Sequence, residues 1–168
     1  PIKLTPRLMT AVPYVRGGRL VADIGTDHAY LPVFLLQEGR IPHAAACDVR
    51  EGPLQNAAST VDAEEVSDQV ELLLCSGFEH PRLRDYTDFV MAGMGGNLMV
   101  DLMAAAPFLQ AEGVHLVLQP QSHAEDAAGA KGDQRLRQLV ALVAHFGKGI
   151  GEGQEPLPAV WGAPCVER

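Results

Sequence analysis

Cysteine, aromatic residues and long apolar runs are all scarce in this chain. Its three cysteines, Cys47, Cys75 and Cys165, are odd in number and far apart, with no Cys-x-x-Cys pair. That excludes a disulfide framework and a structural zinc, and leaves each as a small buried hydrophobe, with no metal expected. No apolar run approaches the ~18 residues of a membrane span, and the first residues lack the charged, apolar and small-residue zones of a signal peptide. The expectation is a cytoplasmic protein with no membrane partner. Basic residues are scarce as well: between Asp23 and Glu125 only Arg40, Arg50, Arg82 and Arg84 stand against sixteen acids, and the net charge is -8. A body of that sign repels polyanions. What is present, 47% hydrophobic and 20% charged residues over 168 positions, is the profile of one soluble globular domain.

The charge is unevenly placed. No acid precedes Asp23, yet Lys3, Arg7, Arg16 and Arg19 all lie there, so a basic arm opens an acidic body and is the stretch expected to meet RNA, if RNA is met at all. Charge alone favours a solvated helix face. In KLTPRLMTAVPYV, Leu4, Leu8, Val12 and Val15 recur at helical spacing, with Thr5 as N-cap and Pro6 in the first turn, which predicts one short amphipathic helix.

Five apolar runs follow, over residues 19–24, 43–48, 69–74, 87–92 and 113–119, and all but the last lead into a helical pattern. Strands alternating with helices predict an α/β fold, a mostly parallel sheet with helices on both faces. Ligands of such sheets bind beyond the carboxyl ends of the strands. Those ends read DIGTDH, then Asp48, then Ser76-Gly77-Phe78, then GMGG over Gly93, Met94, Gly95 and Gly96, then QPQSH ending at His123. Gly25 lets the backbone approach a ligand, and Asp48 is placed to accept both hydroxyls of a ribose. A dinucleotide pyrophosphate wants bare amides in a G-x-G-x-x-G loop. Here Asp23 and Asp27 flank Gly25; they repel phosphate and suit a cofactor carrying an ammonium and a sulfonium, as S-adenosylmethionine does. Asp27 also reads as a helix N-cap, GMGG as a plain tight turn or a phosphate nest, and His28 and His123 as structural.

Taken together, ADIGTDHAYLP, CDVREGPL, AGMGG and LQPQSH resemble the bacterial tRNA adenine-N1 methyltransferases of the TrmK type, in their order and spacing, from about Leu4 to Glu125. The resemblance implies a Rossmann-like class I sheet, S-adenosylmethionine as cofactor, tRNA as partner, and methyl transfer to the adenine at tRNA position twenty-two. It implies that Asp23, Gly25, Thr26, Asp27 and His28 hold the methionine part of the cofactor. Asp48 would hold the ribose, and Ser76 with Gly77 would border the adenine. Gly93, Met94, Gly95 and Gly96 then form the substrate-facing loop, whose carbonyls accept from the target base's amine, with Asp27 and His28 beside it. Ser76 departs from the acid or amide more usual in the family.

The resemblance stops near residue 126. Residues 1–126 are expected to form the cofactor-binding domain. Residues 127–168 are expected to hold an atypical helix over 133–146, docked through Leu136, Leu139, Val140 and Val143, and a loose Gly/Pro-rich tail from Gly147 to Arg168. The sheet is therefore expected to be incomplete at its C-terminal strands, with an open edge. Two other readings stay open: a class I methyltransferase for another RNA or a small molecule, and a cofactor-binding remnant without turnover.

Overall fold

The computed structural model describes residues 1–122 and 140–142. Six strands form one parallel sheet in the order β3-β2-β1-β4-β5-β6: β1 (Leu20–Ile24), β2 (His43–Asp48), β3 (Val70–Leu74), β4 (Asp88–Met94), β5 (His115–Pro120) and β6 (Val140–Leu142). Helices α2 (Tyr30–Gln37), α3 (Glu51–Ala63) and α4 (Gly96–Ala104) follow β1, β2 and β4. This is the doubly wound, Rossmann-like α/β architecture.

Alternation along the strands divides the interior in two. Ala22, Ile24, Phe89, Met91, Leu116 and Leu118 pack on one face with Met99 and Met103 of α4. Val21, Val90 and Val117 point to the other face, against Leu31 and Leu35 of α2 and Ala57 and Val61 of α3. Ala44 and Ala46 are fully buried there; their small side chains let the helices approach the sheet closely.

The N-terminal arm departs from the predicted single helix. It forms α1 (Pro6–Met9), capped by the Thr5 hydroxyl accepting from the Leu8 N–H, and then a separate 3-10 turn over Val12–Tyr14. Pro13 explains the break, because its ring clashes with the carbonyl four residues earlier and it has no N–H to donate. Ala11, Val12 and Val15 still reach the core.

A second departure lies at the far edge. A helix is expected over 133–146, but Val140–Leu142 pair in parallel with Leu116–Leu118 of β5. The outer edge of β5 offers a row of unpaired N–H and C=O groups, and satisfying them outweighs the helical spacing of the apolar residues. The edge expected to be open is thus covered along β5. Leu136, Leu139 and Val143 of the expected stripe, the tail over 147–168 and His123 lie outside the described residues.

At the amino end of the sheet Arg16 grips β4. Its Nε and Nη2 donate to the two carboxylate oxygens of Asp88 at 2.7 and 2.8 Å, and Nη2 also donates to the Gly113 carbonyl at 2.7 Å. Asp88 is only 2% exposed and otherwise accepts from the Thr87 hydroxyl at 2.7 Å, so removing the guanidinium leaves a buried charge without its counter-charge. Arg16→Ala is expected to lower the unfolding free energy by about 3 kcal/mol in urea titrations. A loss below about 0.5 kcal/mol would mean that the pair behaves like a solvated surface bridge.

Candidate functional site

The chain leaves β3 at one side of the sheet and re-enters as β4 on the other side of β1, so the crossovers diverge between β1 and β4. A cavity of about 310 Å³ opens at the carboxyl ends there, lined among others by Gly25, Asp27, Asp48, Gly77 and Gly93. That volume is at the lower end of the roughly 300–1,000 Å³ typical of small-molecule sites.

The loop after β1 is wound tightly. Gly25 has φ 78°, Asp27 φ 55° and Ala29 φ 56°, a left-handed conformation that costs non-glycine residues energy and is held only by its surroundings. Two backbone bonds do the holding, from the Gly25 and Thr26 N–H groups to the Cys47 carbonyl at 2.9 and 2.8 Å. A side chain at Gly25 would bring its Cβ within 2.9 Å of the Met94 methyl, so the bare backbone faces the cavity.

Asp48, nearly buried at the end of β2, accepts from the Arg50 N–H at 3.1 Å on one oxygen and from the Asp27 N–H at 3.4 Å on the other. Its carboxylate is thereby fixed by the loops after β1 and β2, with lone pairs left for a diol. Asp23 lies beneath the loop, not in the cavity wall, and accepts from the Thr26 hydroxyl at 2.8 Å. Burial raises its pKa from 3.8 to about 6; the Thr26 bond opposes this and the Asp48 charge adds to it. Three carboxylates, those of Asp23, Asp27 and Asp48, thus concentrate negative potential around Gly25, which fits a cationic cofactor and not a pyrophosphate.

Opposite stands the turn after β4. The β4–β5 register slips between Ala92 and Met94, so Gly93, at φ 82°, sits in a bulge, a device that re-aims backbone beside a site. Gly95 caps α4, and the Gly96 N–H donates to the Ser122 carbonyl at 2.7 Å.

Of the residues singled out in the sequence, Gly25, Asp27, Asp48, Ser76, Gly77, Gly93 and Met94 share this one cavity. Thr26 and Asp23 support it from below. His28 is turned away: its ring stacks on Tyr30 with centroids 5.0 Å apart, in a separate groove with Asn56 and Thr60. The arm's cations are not brought together. Arg7 lies against Gly93 at the carboxyl end, Arg16 is engaged with Asp88 at the amino end, Arg19 is exposed just ahead of β1, and Lys3 is exposed.

Sequence reading missed Cys75, Leu98 and Leu102 in the cavity wall. Leu98 and Leu102 each precede a buried methionine of α4, Met99 and Met103, so their spacing of four was the available signal. Cys75 is half-buried, where a buried hydrophobe was expected; its thiol donates to the Gly77 carbonyl at 3.7 Å, and its contact with Cys47 holds it below the usual thiol range. Among the described residues no cluster of three or more His, Cys, Asp or Glu side chains could hold a metal.

The raised Asp23 value has a stability consequence. Between pH 3.8 and about 6 the unfolded chain gives up this proton before the folded one does, so the group's contribution to stability declines as pH rises through that window and is flat above it. Asp23→Asn keeps an acceptor for Thr26 and removes the buried charge. It is expected to stabilise the ligand-free protein at pH 7.5 by about 2–3 kcal/mol, with little gain at pH 4. Equal denaturation midpoints of variant and parent at both pH values would contradict the account.

A methyltransferase-domain family model matches residues 4–129. The tRNA (adenine(22)-N(1))-methyltransferase of Bacillus subtilis (strain 168) is 31% identical over 123 residues, which are 73% of this chain and 52% of that protein. The crystal structure of the B. subtilis m1A22 tRNA methyltransferase TrmK superposes with a TM-score of 0.75 at 28% identity, covering 80% of this chain and 57% of that one. A candidate tRNA (m1A22) methyltransferase of Streptococcus pneumoniae, in complex with S-adenosyl-L-methionine, gives a TM-score of 0.73 at 30% identity, with coverage of 79% and 62%. The chain spans about half the length of the curated relative that it matches. With the fold and the span of the match in agreement, the chain belongs to the methyltransferase-domain family and, within it, groups with the class I enzymes of the TrmK type.

Proposed function

We propose that the chain binds S-adenosylmethionine in the cavity between β1 and β4 and takes part in methylating N1 of an adenine in tRNA, at position twenty-two. The observation that carries this reading is the pairing of a fixed diol acceptor, Asp48, with the bulged Gly93 turn across one cavity. In this reading Asp48 accepts from both ribose hydroxyls, the bare Gly25 backbone and Asp27 face the methionine part, and Ser76 and Gly77 border the adenine.

Held by Asp48, Gly25 and Asp27, the cofactor would supply an electrophilic methyl on a sulfonium, which the lone pair of adenine N1 would take up with S-adenosylhomocysteine as the leaving group. The protein need not remove a proton from the attacking nitrogen. Its residues hold the base with its N1 toward the cofactor, through the backbone around Gly93, while the carboxylates of Asp27 and Asp48 favour the positive charge that moves onto the base. The target N1 is paired or stacked in folded tRNA, so the base has to be extruded to reach the cavity. Exposed Leu98 at the rim offers an apolar surface for such a base.

A second reading, methylation of a small molecule, draws on one observation, the dispersal of the arm's cations over both ends of the sheet. Transfer of labelled methyl from S-adenosylmethionine to unmodified bacterial tRNA, with the label mapped to one adenine, separates the two. Asp48→Ala is expected to weaken S-adenosylhomocysteine binding by roughly 1–3 kcal/mol in calorimetry without altering the fold. Tight NAD binding with no response to S-adenosylhomocysteine would overturn the cofactor assignment.

A further inference from the structure

Gln119 is among the most deeply buried polar side chains described, 1% exposed at the carboxyl end of β5. Its side-chain bonds all go to the N-terminal arm. Its Oε1 accepts from Arg7 Nη1 at 3.0 Å, and its Nε2 donates to the Arg7 carbonyl at 2.6 Å and to the Thr10 hydroxyl at 2.8 Å. A buried amide with every partner on α1 or its C-cap residue Thr10 is costly to leave unpaired, so it fixes both the position of α1 and the direction of the Arg7 side chain.

That direction is toward the site. The two terminal guanidinium nitrogens of Arg7 come within 3.3 and 3.4 Å of the place a Cβ at Gly93 would occupy, and the Gln121 amide nitrogen within 3.6 Å. The outer face of the bulge is therefore covered by N–H donors. Among the described residues Arg7 makes no ion pair, unlike Arg16 and Arg82. Carboxylates thus surround Gly25 inside the cavity, while a guanidinium stands against Gly93 just outside its lining. A cation is drawn to the first and an anion to the second.

We propose that Gln119 is a positioning residue that holds Arg7 over the Gly93 bulge, where the guanidinium binds the backbone phosphate next to the target nucleotide. The inference rests on the functional reading above and adds the group that Arg7 recognises and the residue that aims it. A phosphate is the fitting ligand because the planar fork of a guanidinium matches two of its oxygens, whereas the exocyclic amine of adenine is itself a donor and is repelled by N–H groups. With the phosphate anchored at the rim, the base is left to enter between Gly93 and Asp27.

The experiment compares the full chain with Arg7→Ala, Arg7→Lys and Gln119→Met. It reads S-adenosylhomocysteine affinity, KM and kcat for unmodified bacterial tRNA, and the salt dependence of tRNA binding. Arg7→Ala is expected to raise the tRNA KM about tenfold, with cofactor affinity unchanged, and to flatten the slope of log K against log salt by about one. Arg7→Lys should restore the slope and only part of the KM, since a point charge lacks the fork. Gln119→Met should reproduce the Arg7→Ala phenotype although the arginine is still present; should that variant not fold, the two Arg7 variants decide. A parent chain that methylates tRNA while Arg7→Ala leaves KM and slope unaltered overturns the inference alone, as does a cofactor affinity that falls in step with KM. A parent chain that neither binds S-adenosylhomocysteine nor methylates tRNA overturns the functional reading and the inference with it.

Discussion

Everything in the site depends on where the chain changes sides of its sheet. Strands β1, β2 and β3 wind outward in one direction, and the next crossover has to bring β4 back against the free edge of β1. Right-handed connections place successive helices on opposite faces of the sheet once that direction reverses, so the loops after β1 and β4 part from one another and leave a crevice between them. Gly25 and Gly93 are the residues at its two lips, both in the left-handed region. The loops after β2 and β3 close on it from the side, and Asp48, Ser76 and Gly77 join its lining there.

The crevice is built at some cost to the ligand-free protein. Asp23 is buried beneath a strained loop with one side-chain hydrogen bond, and Asp48 raises its pKa further. An uncharged residue at that position would relieve the repulsion, so the carboxylate's presence accords with a ligand that brings positive charge. Arg7 gives the opposite lip the opposite sign. The arm is thereby more than a covering segment: its apolar residues complete one core layer, its Arg16 secures the amino end of the sheet, and its α1 is clamped at the carboxyl end by Gln119.

Much of this was legible in the residues. Strand β2 lies where the run HAAACD placed it, and Gly25, Asp27, Asp48, Ser76, Gly77 and Gly93 fall around one cavity because they occupy strand ends, which periodicity identifies. What periodicity does not carry is long-range competition. Val140 and its neighbours have helical spacing, yet pair with β5 because an unpaired edge is available nearby. Arg16 and Arg7 look alike as cations in an acid-free stretch; their partners, Asp88 and Gln119, lie 72 and 112 residues away. His28 sits within the loop motif, but its ring finds Tyr30 and leaves the cavity, a choice made by local packing.

In the proposed complex the cofactor occupies the crevice between β1 and β4 with its ribose on Asp48. Titrating S-adenosylhomocysteine into isotope-labelled protein and following backbone amide shifts tests this most directly. Large, saturable shifts are expected at Gly25 and Asp27, at Val49 and Arg50, at Ser76 and Gly77, and at Gly93 and Met94, with the groove beside Tyr30 and Asn56 unmoved. Shifts confined to that groove, or no saturable response at millimolar ligand, would contradict it.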